Sequence, residues 1–213
     1  MNKLVSVVVI VLLLSGCVAS SNFYSGRTLE EGKVAIVAGA DDIALKSSDP
    51  SISVEKGKAF VPSLGSAIGL PWRFELGARW YPTHLIEVSA RHQVNPRDWD
   101  VVDASLNLHY ALLFGGYSYL KYGVTVSKNI AEFEPYVHYA GYHFLGATTA
   151  IFEDSFLAGA EEVFINNNHS VGFGIGLPLR SAKIFPEVNY QFFGNDVKHG
   201  LWHFGIGIRV YPR

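Results

Sequence analysis

The residues best able to do chemistry fall on one side of an alternating pattern. Glu75 and Arg79 are four positions apart, and so are Glu87 and Arg91; in an extended chain such pairs share a face. Pro82-Thr83-His84 lies between them, and a hairpin pairing Tyr81 with Leu85 sets Arg79 opposite Glu87 and Glu75 opposite Arg91. Asp103, Lys121, Glu187 and Arg209 occupy the equivalent face of their own segments. A tight connection over 194–200 would bring Glu187 opposite Arg209. Opposed charges support antiparallel pairing modestly and hold its register, because a slip of one residue turns every charge to the wrong face. Two roles suit such a set: a network filling an enclosed interior, or the lining of a narrow water path that sets an ion preference.

Catalytic and metal chemistry find less support. His109, His138, His143, His169, His199 and His203 come with no Glu-x-x-His or cysteine-bearing ligand spacing, so no metal or other cofactor is expected. His169-Ser170 puts a base beside a nucleophile, but adjacent strand residues point to opposite faces. Asp41-Asp42 and Asp154 fall in stretches read as loops. Convergent geometry of the kind a hydrolase needs is not indicated, and no enzymatic activity is expected.

The elements carrying these residues are strands. Trp202, Phe204, Ile206, Ile208 and Val210 alternate with His203, Gly205, Gly207, Arg209 and Tyr211, and Phe74, Leu76, Ala78 and Trp80 alternate with Glu75, Gly77, Arg79 and Tyr81. This period of two continues along the chain. It yields about ten strands, at 33–40, 59–69, 73–81, 85–93, 100–113, 118–128, 132–147, 162–177, 184–193 and 201–211. An even count fits an all-β, closed antiparallel transmembrane barrel of about ten strands, with eight or twelve as alternatives. Short links at 70–72, 95–98, 129–131 and 178–183 would lie at one end. The two longest, 41–58 and 148–161, would lie at the other.

Trp72 and Trp99 then fall at the short-turn end and Trp80 and Trp202 at the other, as two interfacial girdles. The Gly-rich inward face (Gly172, Gly174, Gly176, Gly205, Gly207) leaves room for Tyr136, His138, Tyr142 and Phe144, so that side is expected to be plugged and the Glu/Arg side the more hydrated. A soluble β-sandwich or lipocalin-like barrel alternates too, with its apolar face inside. Composition agrees with an all-β chain: 21 Gly, 14 Phe, 11 Tyr and 4 Trp among 213 residues, with one Met. A net charge of −2 provides no basic field to gather nucleic acid.

Residues 1–16 read as a signal peptide, with Lys3 before an apolar run, and Leu14-Ser15-Gly16-Cys17 resembles the lipobox of bacterial lipoproteins. That resemblance implies cleavage before Cys17, acylation of Cys17, and, with Val18 rather than Asp following, sorting to the outer membrane. Cleavage after Val18-Ala19-Ser20 is the alternative. With Cys17 the only cysteine, no internal disulfide can form. Residues 17–32 are then a polar tether and 33–213 the barrel.

The strand and turn layout resembles small bacterial outer-membrane β-barrel proteins of about 8–12 strands. This implies outer-membrane lipid, the lipoprotein-processing and barrel-assembly machineries, and small ions or solutes as partners, with the oligomeric state open. Such barrels usually finish on an aromatic residue, whereas here Pro212 and Arg213 follow Tyr211. The chain departs from lipid A deacylases, whose His/Ser pair is separated by one residue, and resembles omptin proteases only in strand number. The expected role is therefore a structural or narrow-channel component; a loop-based ligand-binding or adhesion barrel and an outer-membrane lipid hydrolase are the alternatives.

Overall fold

Strand formation follows from the period of two, with β-branched and aromatic residues crowding one face of each segment. A computed structural model describes residues 21–44, 58–82, 85–113, 117–145, 168–193 and 196–212. Its strands are β1 (Val34–Ala44), β2 (Lys58–Leu70), β3 (Phe74–Tyr81), β4 (Leu85–Gln93), β5 (Asp103–Leu113), β6 (Tyr117–Ser127), β7 (Glu134–Leu145), β8 (Asn168–Leu179), β9 (Ala182–Phe193) and β10 (Asp196–Val210). Each pairs antiparallel with its sequence neighbours, and β1 also pairs with β10, Ile36 opposite Val210 and Asp41 opposite Gly205. The sheet is a closed ten-stranded barrel, which leaves no unpaired edge.

The barrel is greasy outside and polar inside. Ile36, Leu64, Leu76, Val88, Leu108, Phe173, Phe204 and Ile206 are exposed on the outer wall. Glu75, Arg79, Glu87, Arg91, Asp103, Asn107, Lys121, Glu187, Gln191 and Arg209 point inward, none more than 7% exposed. A soluble β-domain would need the reverse arrangement. An apolar outer band over a polar interior is the arrangement of a transmembrane barrel.

The structure corrects several boundaries. β1 continues to Ala44, so Asp41 is a buried strand residue rather than the start of a loop. β5 begins at Asp103, not at residue 100, because Asn95 staples the preceding turn: its Nδ2 donates to the Val102 carbonyl at 2.9 Å and its Oδ1 accepts from the Ala104 amide at 2.6 Å. β10 begins at Asp196, with a register shift between Asp196 and Leu201. Glu187 therefore lies opposite Gly205, and Arg209 opposite Lys183; the expected Glu187–Arg209 pairing does not form. By contrast, Arg79 does stand opposite Glu87 and Glu75 opposite Arg91.

One end of the barrel, the turn end, carries the connections 71–73, 94–102, 128–133 and 180–181 and the end of β10. At the opposite end, the loop end, β1, β3, β5, β7 and β9 finish and β2, β4, β6, β8 and β10 begin. Most of the two long loops expected from the sequence, Asp154 included, lies outside the described residues, as does the start of the strand expected at 162–177. Trp72 occupies the turn Pro71–Arg73 and Trp99 the 94–102 turn, while Trp80 and Trp202 sit toward the loop end; all four are exposed.

Candidate functional site

The barrel closes around part of its own chain. At the turn end the backbone reverses just before β1: Lys33 N–H donates to the Glu30 carbonyl at 3.0 Å, Gly32 N–H to the Gly69 carbonyl at 2.9 Å, and Gly32 takes a φ of 73°. Residues 21–29 consequently lie in the lumen, buried at every position except Arg27. Residues 21–29, read from the sequence as part of a polar tether, thus run inside the wall. A chain threaded through a pore cannot pair with a neighbouring strand, so its main-chain groups need side-chain partners. The inward charges supply them.

Nearest the turn end, the Leu29 amide donates to Glu75 Oε2 at 2.8 Å. Glu75 Oε1 accepts from Arg91 Nη1 at 2.9 Å and from Arg209 Nη2 at 3.1 Å. The Thr28 amide donates to Gln93 Oε1 at 3.3 Å, and Gln93 Nε2 in turn donates to Asp103 Oδ1 at 2.9 Å. Arg27 Nε pairs with Asp103 Oδ2 at 3.2 Å. The Gly26 amide donates to Ser127 Oγ at 3.0 Å. Here the segment passes so close to the wall that a Cβ on Gly26 would stand 2.2 Å from the Asp103 carbonyl oxygen. Only glycine fits that approach.

Midway, Arg91 donates to the Ser25 carbonyl and lies 4.0 Å above the Tyr24 ring, a cation–π arrangement. The Tyr24 hydroxyl is 2.5 Å from His109 Nε2, and His109 Nδ1 is 3.1 Å from Glu87 Oε1. A carboxylate only accepts, so Nδ1 carries the proton and Nε2 receives the one Tyr24 donates.

Toward the loop end, Glu187 is the main holding point. Its two oxygens accept the successive amides of Asn22 (2.8 Å) and Phe23 (3.0 Å), together with the Tyr136 hydroxyl (2.6 Å), His138 Nε2 (3.1 Å) and Asn189 Nδ2 (2.9 Å). Arg79 donates to the Asn22 carbonyl at 3.0 Å and to the Tyr81 hydroxyl at 3.1 Å. Although Arg79 faces Glu87 in register, it donates to the segment and to Tyr81. Asn189 Nδ2 also reaches Ser21 Oγ at 3.1 Å.

Phe23 takes a φ of 56°, an uncommon region for a bulky residue. Its ring lies in a slot of small wall residues, where a Cβ on Gly39, Gly205 or Gly207 would come within 2.4 to 2.8 Å of it. The inward glycines near β1 and β10 thus make room for the segment. Across the lumen, Tyr136 fills the space over Gly174 and His138 that over Gly172, and Tyr136 and Phe185 complete an apolar cluster with Phe23. Above them, Val61, Tyr81, Leu85, Tyr119 and Tyr142 pack as a second cluster. On the Glu/Arg side expected to be the more hydrated, Glu75, Arg79 and Arg91 hold residues 21–29, as Glu187 does from β9. Lys121 is buried beside Tyr142, its Nζ 5.6 Å from the ring centre.

The remaining candidates separate. His169 Nδ1 is bonded to the Tyr139 hydroxyl at 2.6 Å on the outer face, whereas Ser170 is buried, with Oγ 3.2 Å from the Tyr142 hydroxyl. They lie on opposite sides of the wall. His199 and His203 are four residues apart, a ligand spacing on a helix, but both lie in β10; four residues of strand span about 13 Å. Cys17 and the side chains of Phe144 and His199 lie outside the described residues.

The role of Ser21–Leu29 was not read from the sequence. Two signals pointed to it: an adjacent Phe23-Tyr24 pair in an otherwise polar leader, and inward glycines at 39, 205 and 207 on the two strands that close the barrel.

No family model matches the chain, and no curated protein matches it. Among solved structures it is similar to the β-domain of the Bordetella autotransporter BrkA, at 9% identity over 86% of this chain and 100% of that one, with a TM-score of 0.51. It also matches the transport unit of the autotransporter AIDA-I from Escherichia coli, at 10% identity over 97% of each chain (TM-score 0.46). The Yersinia pestis outer-membrane protein Ail matches at 17% identity over 84% of this chain and 99% of that one (TM-score 0.37). The first of these likenesses shows the fold, that of outer-membrane β-barrels.

Proposed function

We propose that this chain is a lipid-anchored outer-membrane barrel sealed by its own N-terminal segment, a structural component of the membrane rather than an open pore. The observation carrying the reading is the occupied lumen: Glu187, Arg79, Arg91 and Glu75 hold the main chain of residues 22–29 by direct hydrogen bonds. Charges so engaged do not line a water path. Outer-membrane residence is supported by the apolar outer wall and the export segment, and lipid anchoring by Leu14-Ser15-Gly16-Cys17. The protein is read as non-enzymatic, on the separation of His169 from Ser170. Its partners are membrane lipid and the machineries that process lipoproteins and assemble barrels. A second role, ligand recognition at the loop end, is favoured by the length of the 45–57 and 146–167 connections.

The test is conductance of the refolded mature protein in a planar bilayer. The wild type should be silent. A variant lacking residues 21–29, shown to be folded by heat-modifiable migration, should give discrete steps whose ion selectivity changes with Arg91→Ala. Steps from the wild type would discard the sealed barrel in favour of the narrow passive channel.

A further inference from the structure

The segment in the lumen has a direction. Leu29 is tied to Glu75, one residue into β3 from the turn end, and Gly26 to Ser127, the last residue of β6. Tyr24 meets His109 in the middle of β5. Phe23 and Asn22 bond to Glu187 in the middle of β9, and Ser21 to Asn189, two residues nearer the loop end. Ser21 Oγ also lies in the space beside Gly205 and Asp41. The ties of Leu29 and Gly26 both lie at the turn end, and from Gly26 to Ser21 the contacts climb toward the loop end as residue number falls. Fully extended, residues 21–29 would reach at most about 26 Å, a span that the φ of 56° at Phe23 shortens.

Toward the turn end, Tyr136, Phe185 and Phe23 pack together beside the segment, and the wall approaches Gly26 to within 2.2 Å of where a Cβ would stand. Toward the loop end, the cluster of Val61, Tyr81, Leu85, Tyr119 and Tyr142 comes from β2, β3, β4, β6 and β7, whereas Ser21 stands by β1, β9 and β10. From Asp41, which neighbours Ser21, β1 has three further residues before it ends at Ala44, about 10 Å of strand and less along a tilted axis. The four residues from Ser21 back to position 17 can span about 13 Å.

We infer that the chain preceding Ser21 leaves the barrel at the loop end, so the mature N-terminus is held on the opposite side of the membrane from the turns and the C-terminus. The barrel displays its own N-terminus through itself. Whatever that N-terminus carries, including the acyl group expected at position 17, is delivered to the loop-side leaflet. The inference deepens the sealed-barrel reading and rests on it.

The experiment places one reactive thiol at a time in cells producing the full chain: a Gly-Cys insertion between Ser20 and Ser21, Ser47→Cys in the first long loop, and Glu132→Cys in the exposed 128–133 turn. A membrane-impermeant maleimide is applied to intact and then to permeabilised cells. Labelling of the parent chain is subtracted, and folding is checked by heat-modifiable migration. The insertion should label together with Ser47→Cys and apart from Glu132→Cys. Labelling together with Glu132→Cys, or on neither side, overturns the inference. Conduction by the wild type in the bilayer assay discards the sealed barrel instead, and a reversal of the two reporter positions inverts the barrel; both leave the comparison between insertion and reporters intact.

Discussion

Glu187 Oε2 accepts the backbone amide of Phe23 at 3.0 Å across 164 residues of sequence, joining the segment in the lumen to the wall that encloses it. The same carboxylate holds Asn22, Tyr136, His138 and Asn189. Removing the carboxylate leaves these buried donors unsatisfied, at about 1–3 kcal/mol each before relaxation and several kcal/mol in all. Glu187→Ala should lower the unfolding free energy of the vesicle-inserted protein by about that amount and make residues 21–29 cleavable by added protease. Glu187→Gln, which keeps one acceptor oxygen, should fall between the two. Urea titration of tryptophan fluorescence and limited proteolysis measure both effects.

The Phe23 ring and the Gly207 backbone compete for the same volume, since a Cβ on Gly207 would lie 2.4 Å from the ring. Phe23→Ala should cost about 3–5 kcal/mol through the cavity it leaves. Gly207→Val should expel the segment and raise its protease sensitivity. Combining the two should be less damaging than the sum of the single changes, a coupling that a double-mutant cycle on urea midpoints would register.

Glu75 balances Arg91 and Arg209 on one oxygen and holds the Leu29 amide on the other. Glu75→Leu should destabilise the barrel by about 3–5 kcal/mol because two buried guanidiniums lose their carboxylate. Glu75→Leu with Arg209→Leu should recover part of that loss, since one unpaired charge is removed with it. Equal midpoints for the single and double variants would mean that Arg209 finds another partner.

For the anchor, cells fed a radiolabelled fatty acid should label the wild-type protein. Cys17→Ser should abolish that label. A Cys17→Ser protein that still takes up label would remove the lipobox reading while leaving the barrel untouched.

Much of the wall was legible in the sequence. A hairpin joined by only three residues has little choice of register, so Arg79 opposite Glu87 and Glu75 opposite Arg91 followed from Tyr81 and Leu85 alone. Glu187 and Arg209 were paired wrongly for the complementary reason. Asp196–Gly200 carries polar residues and glycine and resembles a turn, yet it is the start of β10. Local composition does not reveal that the closing strands can recruit such residues into the ladder.

Alternation along the chain by itself determined the class of fold, its even strand number and the set of side chains facing inward, because a period of two assigns every residue to a face. What that interior encloses was decided only by closure. Ser21–Leu29 is short, polar and without a period, and in an open chain it would be satisfied by water. Inside the closed wall its amides and carbonyls lose water, and Glu187, Glu75, Arg79 and Arg91, brought together from strands far apart in sequence, replace it.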